Sequence, residues 1–184
     1  MVNLTSVQYD AAVASCKDIF IKKMKDYGSA WRILRIRSIT DQIFIKARRI
    51  RSIEDKGTHR VEEGIREEYM GILNYAVIAL IQLELGYEGN MNLSPEEAKR
   101  CFETQIAHAK SLMENKNHDY GEAWRNMRVS SLTDIILMKL MRVKQIEDND
   151  GTTLISEGIA ANYYDIINYA IFAIIRTEQD PSQH

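Results

Sequence analysis

Two stretches of the chain gather amines, guanidinium groups and aromatic rings at one spacing. The first is Lys23-x-x-Asp26-Tyr27-Gly28-x-Ala30-Trp31-Arg32, and the second is Lys116-x-x-Asp119-Tyr120-Gly121-x-Ala123-Trp124-Arg125. Lys and Arg bind phosphoryl oxygens, and Tyr or Trp stack on a base. Such a set beside a glycine turn suits a phosphorylated aromatic ligand. It equally suits a structural role: a glycine C-cap with an aromatic plug and an Asp–Arg pair across the turn. A second pattern, Asp41, Lys46 and Arg49, returns as Asp134, Lys139 and Arg142. Those positions share one side of a helix, and an Asp at a helix start is also what the helix dipole favours. A third group is acidic. The first half offers Glu62, Glu63, Glu67 and Glu68; the second offers Glu157 and Asp165. Asn162 aligns with Glu68, and Gly71 with Asp165. Carboxylates one helical turn apart can hold Mg²⁺ through oxygen ligands, whereas a run of acids is by default a solvated face. Asn74 and Asn168 lie in the most apolar segments. A buried Asn must have its hydrogen bonds met, either as a lock between two central helices or against a ligand.

These patterns belong to a longer duplication. Asp26 recurs as Asp119 at a spacing of 93, and the echo runs on through Ile53-Glu54-Asp55 and Ile146-Glu147-Asp148. One inserted residue then makes the spacing 94, so Asn74-Tyr75-Ala76 matches Asn168-Tyr169-Ala170. A match this long is a duplicated domain, with a first unit over 1–86, a linker at 87–94 and a second unit over 95–184.

The elements that must position these groups read as helices. Sustained period-2 alternation is absent, and the two prolines, Pro95 and Pro181, interrupt no periodic segment. The pattern predicts helices over 6–26, 40–56 and 59–85, repeated over 95–119, 133–148 and 153–178. Thr40 reads as an N-cap, and Ser94-Pro95-Glu96-Glu97 as a capping box. The last helix of each unit is apolar on nearly all sides. A unit of about 90 residues has trouble covering such a helix alone, so the two last helices are expected to pack together on a pseudo-twofold axis. The predicted fold is all-α, an internally paired tandem of three-helix units. The net charge of −2 and pI near 6.1 give no basic field for nucleic acid. Cys16 and Cys101 do not align and read as reduced packing residues of a cytoplasmic protein. No apolar run is long enough to span a bilayer, and the first twenty residues carry no signal-peptide pattern. No Glu-x-x-His, zinc spacing, phosphate-binding glycine loop or Gly-x-Ser-x-Gly occurs.

At the Asp-Tyr-Gly-x-Ala-Trp turns and the Asn-Tyr helices, the chain resembles the nucleotide-modification-associated helical family, here in two tandem copies. That family is similar to MazG-like all-α nucleotide pyrophosphohydrolases. The resemblance implies acidic helices that hold Mg²⁺ (or Mn²⁺) against the phosphates of a nucleotide or deoxynucleotide. The metal would sit between Asp41 or Asp134 and the carboxylates Glu63, Glu67, Glu68, Glu157 and Asp165, with Asp41 and Asp134 in the catalytic positions. Phosphate would meet Lys23, Arg32, Lys46, Lys116, Arg125 and Lys139. The base would meet Tyr27, Trp31, Tyr120 and Trp124, with Asp26, Asp119, Asn74 and Asn168 in the same site. The chain departs from the MazG-like pattern in two ways. The first metal helix lacks its Glu-x-x-Glu, and the second Glu-x-x-Asp is halved, to Glu68 in one copy and Asp165 in the other. Three functions stay open at this point: a hydrolase, a non-catalytic nucleotide sensor or accessory subunit, and a structural helical module. Further assembly of the pseudo-dimer is open as well.

Overall fold

The computed structural model describes residues 3–58, 64–86, 92–152 and 157–179. Among them are six α-helices, two short 3-10 turns and no strand. Helix α1 runs Leu4–Tyr27 and buries one stripe, Thr5, Tyr9, Ala12, Cys16, Phe20 and Met24, at spacings of three and four. Asn3 caps it by accepting from the Thr5 amide at 3.0 Å. Gly28, at φ 60°, ends it in a conformation costly for any residue with a Cβ. A 3-10 turn over Ala30–Ile33 leads into α2, Ile36–Lys56. Helix α3 is Ile65–Leu85, α4 Pro95–Tyr120, α5 Val129–Asp148 and α6 Ile159–Gln179, with the second 3-10 turn at Ala123–Asn126. The Ser94–Glu97 capping box forms as the sequence requires: the Glu97 amide donates to Ser94 Oγ at 3.1 Å, and the Ser94 amide to Glu97 Oε2 at 2.8 Å.

Helices α2 and α5 begin a full turn before Thr40 and Thr133. Neither Thr is a cap; both are fully buried. Their hydroxyls are used across the duplication instead. Thr133 Oγ1 lies 2.5 Å from the Tyr69 hydroxyl and donates to Glu54 Oε1 at 2.8 Å. Thr40 Oγ1 meets the Tyr163 hydroxyl and donates to Glu147 Oε1 at 2.7 Å. The two networks are the same three residues exchanged between copies. Each takes its Glu and Tyr from one copy and its Thr from the other, which is the signature of a pseudo-twofold arrangement. The most extensive helix contact is α3 against α6; α2 packs on α3, α5 on α6, and α2 on α5. Helices α1 and α4 pack on each other and on both central helices. The centre is aliphatic: Ile72, Leu73, Ala76, Val77, Ile81, Ile166, Ile167, Ala170, Ile171 and Ile174 are all fully buried.

The asparagines of the two apolar helices, Asn74 half-buried and Asn168 buried, differ from the expected lock between α3 and α6. Asn74 Nδ2 donates to the Cys16 carbonyl of α1 at 3.1 Å, and Asn168 Nδ2 to the Ala109 carbonyl of α4 at 3.0 Å. Cys16 and Ala109 occupy equivalent positions, so each Asn ties a central helix to the first helix of its own copy. The oxygen ends diverge. Asn168 Oδ1 accepts from the Tyr9 hydroxyl at 2.8 Å, whereas Asn74 Oδ1 has no hydrogen-bond partner among the described residues. The residue equivalent to Tyr9 is Phe102, which lacks the hydroxyl.

Two consequences are measurable. Asn168→Ala strands the buried Tyr9 hydroxyl and the Ala109 carbonyl. It should cost about 2–4 kcal/mol in urea unfolding, roughly twice the cost of Asn74→Ala; equal losses would contradict the assigned partners. Burial holds the Glu54 and Glu147 carboxyls above their ordinary value, against the pull of the Thr hydroxyls. A raised folded pKa means stability is complete below the ordinary carboxyl range and declines as pH rises through the raised value. Glu54→Gln/Glu147→Gln should therefore match the wild-type Tm near pH 4 and exceed it by a few degrees at pH 7–8. A variant less stable than wild type at pH 7 would refute this.

Candidate functional site

In the first copy, the glycine stop at Gly28 swings the chain back so that Trp31 faces the end of α1 and the flank of α3. The space left between them is a cleft of about 870 Å³. Its wall carries Lys23, Tyr27 and Trp31 from α1 and the turn, and Lys46 from α2. From α3 come Glu67, Glu68, Gly71, Asn74 and Tyr75, with Phe20, Met24 and Ile78 as its apolar floor. The second copy has the corresponding cleft, lined by Lys116, Tyr120, Trp124, Lys139, Asp165, Asn168, Tyr169 and Phe172, but its volume is about 340 Å³.

Two of the positions that differ between the clefts place new groups inside the second one. Phe172 stands where the first copy has Ile78, and its ring stacks on Trp124 with centroids 4.3 Å apart and planes 4° from parallel. Trp31 has no such partner: it leans at 47° on Phe20, 6.1 Å away, and its Nε1 donates to Met24 Sδ at 3.2 Å. Asp165 stands where the first copy has Gly71, and its carboxylate bridges Lys116 Nζ at 2.6 Å and Lys139 Nζ at 2.7 Å. Burial would raise the Asp165 carboxyl, but the two ammonium groups outweigh it and hold the group below the usual carboxylate range. Lys116 is raised by the same pair although burial opposes it. In the first copy Lys46 lies along the helix where a side chain at 71 would stand. A Cβ there would come within 2.9 Å of Lys46 Cε. Lys23 has no ion pair among the described residues.

Several expected ligand contacts are used elsewhere. Arg32 is only 3 % exposed; it donates to the Gly86 carbonyl at 3.1 Å and to Gln82 Oε1, locking the 3-10 turn to the end of α3. Arg125 donates to Glu122 Oε2 at 2.9 Å, Thr5 Oγ1 at 2.6 Å and Gln8 Oε1 at 2.8 Å. Neither guanidinium lines a cleft, and neither pairs with Asp26 or Asp119, which are exposed at the turns. Asp41 and Asp134 also lie outside both clefts. Asp41 Oδ1 is 2.8 Å from Lys144 Nζ, and Asp134 Oδ1 is 3.7 Å from Arg51 Nη1. Arg51 and Lys144 are equivalent positions, so these are reciprocal surface pairs between α2 and α5. Glu68, 9 % exposed, is held by Arg49 at 2.6 Å and by Lys46 at 3.5 Å. Glu67 Oε2 accepts from the Gly64 amide at 3.0 Å. Glu157 is exposed ahead of α6, and Glu63 falls outside the described residues. Among the described residues no three acidic, His or Cys groups converge as a metal site.

Tyr75 and Tyr169, Met24, and the pair Ile78 and Phe172 line the clefts without having been singled out by sequence reasoning. The retained Asn-Tyr dipeptide was the available signal for the tyrosines. Nothing in a single sequence marks Ile78 until Phe172 is seen to fill the place opposite.

No helix among the described residues is long and apolar enough to cross a membrane. Comparison with curated proteins and with solved structures gives no match. The family model described as nucleotide modification associated domain 1 matches twice, over residues 23–83 and 116–177. Each match spans the Lys-x-x-Asp-Tyr-Gly turn, the middle helix and the apolar third helix of one copy. Together the matches cover more than half of the chain, which belongs to the nucleotide modification associated domain 1 family as two tandem copies.

Proposed function

We propose that the cleft of the first copy binds a nucleotide or deoxynucleotide, and that the protein acts as a nucleotide sensor or accessory subunit. The observation that carries this is the open cleft of about 870 Å³. It combines two lysines with Trp31, Tyr27 and Tyr75, and it lies in a chain whose family name concerns nucleotide modification. Its size is that of a small-molecule site. The base would stack on the aromatic wall, and the phosphates would lie toward Lys23 and Lys46. Binding is favoured over hydrolysis because the acidic groups are already engaged. Glu68 is held by Arg49, Glu67 caps α3, and Asp41 and Asp134 pair on the surface. The described residues therefore do not fit a Mg²⁺ ion held by the protein alone.

A second reading, a Mg²⁺-dependent pyrophosphohydrolase of MazG-like kind, draws on Glu67 and Glu68, which sit side by side on the cleft wall. One panel separates the two. Thermal stabilisation and phosphate or pyrophosphate release are measured with ribo- and deoxynucleoside mono-, di- and triphosphates, with Mg²⁺ or Mn²⁺. A nucleotide at 100 times its Kd should stabilise the fold by about 2.7 kcal/mol. Trp31→Ala should weaken that binding roughly 5–100-fold through lost stacking. Release that is lost in Glu68→Gln would support the hydrolase; absence of both stabilisation and release with every nucleotide would remove both.

A further inference from the structure

The second copy carries a group of its own in the place where the first would take a ligand. We infer that Lys23 and Lys46 form an oxyanion seat for a phosphate monoester or free phosphate, at the position that Asp165 fills in the second copy. The inference rests on the cleft being a ligand site and names the contact that orients the ligand. The two lysine pairs are equivalent by sequence and lie on equivalent helices. In the second copy both ammonium groups close on a single carboxylate, one to each oxygen, at 2.6 and 2.7 Å. That carboxylate is only 9 % exposed and Lys139 13 %, while Lys116 is 55 % exposed, so the seat is a two-point anion site with one buried and one solvent-facing ammonium. In the first copy Gly71 removes the internal anion and leaves the lysines without it.

The acids near the first seat do not replace Asp165. Glu68 lies 2.6 Å from Arg49 and 3.5 Å from Lys46, so its stronger partner is the guanidinium. The Glu67 carboxylate accepts the Gly64 amide at the positive end of α3. Phe172 extends the correspondence. Seven residues from Asp165, about 10 Å along the helix, it lays a flat ring on Trp124. The second copy thus holds an aromatic ring and an anion in the same two subsites that a nucleotide would fill in the first. The second cleft is a self-occupied copy of the first, and the chain presents one site.

Titration calorimetry with inorganic phosphate, a nucleoside 5′-monophosphate and the parent nucleoside tests this on the full chain. Wild type should bind the monophosphate at one site per chain and the nucleoside at least tenfold more weakly. Binding of phosphate alone separates the anion's contribution from the base's. Gly71→Asp should weaken the monophosphate at least tenfold, while Gly71→Asn, which adds similar bulk without charge, should weaken it less. Asp165→Gly should create a second phosphate site, raising the stoichiometry from one to two. Circular dichroism melts check that each variant folds; Asp is already accommodated at the equivalent helix position. Monophosphate binding unchanged in Gly71→Asp, or no second phosphate site in folded Asp165→Gly, would overturn the seat while leaving nucleotide binding intact. Failure of wild type to bind either nucleotide or phosphate would remove both proposals.

Discussion

The pairing of α3 with α6 is the constraint on which everything else depends. Each helix is apolar on almost every side, and neither copy has enough surrounding chain to cover it. The free energy of removing that surface from water, on the order of 25 cal/mol per Å², is gained only when the two copies meet. Once they do, α2 and α5 close one side and α1 and α4 the other. The polar groups trapped at the seam must then find partners, and the Tyr–Thr–Glu networks supply them reciprocally. The surface pairs Asp41–Lys144 and Asp134–Arg51 follow the same exchange. The clefts are what remains at the flanks, where the glycine turn of each copy folds back on its own third helix.

The duplication and the helices were legible because they rest on periodicity and on local caps. Apolar residues recur at three and four, glycines stop α1, α2 and α4, and the Ser94–Glu97 box forms as read. The retained polar residues were harder to place. Thr40 and Asp41 look like a helix start, yet the helix begins at Ile36, because the hydroxyl is worth more against Glu147 and Tyr163 across the seam than at a solvent-exposed cap. Arg32 and Arg125 look like phosphate ligands, yet they hold turns in place. Retention between copies reports a shared need without saying whether that need is a ligand or the fold. Partners distant in sequence decide the matter, and a single chain does not reveal them.

The differences between copies were the more informative part. Gly71 against Asp165 and Ile78 against Phe172 are among the differences between a cleft of about 870 Å³ and one of about 340 Å³. Both substitutions act on the same face of the third helix, seven residues apart. A third difference, Phe102 for Tyr9, removes a hydroxyl from one side of the seam and leaves Asn74 Oδ1, on the wall of the larger cleft, without a partner among the described residues. The looser polar arrangement and the open volume therefore occur in the same half of the molecule.

The exchanged Tyr–Thr–Glu networks also bear on how the chain is made. On the ribosome the first copy emerges complete while its α3 has α1 and α2 to pack on but not α6. At about 5–20 residues per second, the second copy needs roughly 5–20 s more to follow. During that interval a nearly all-apolar helix, which carries Ile72, Leu73, Val77 and Ile81, lacks the cover that α6 provides. The linker makes the partner's effective concentration high as soon as α6 is out, which a dimer of separate chains would lack. Fusion of the copies thus shortens the exposure of the apolar surface to a single synthesis, and ensures that the partner arriving is the copy with the narrower cleft.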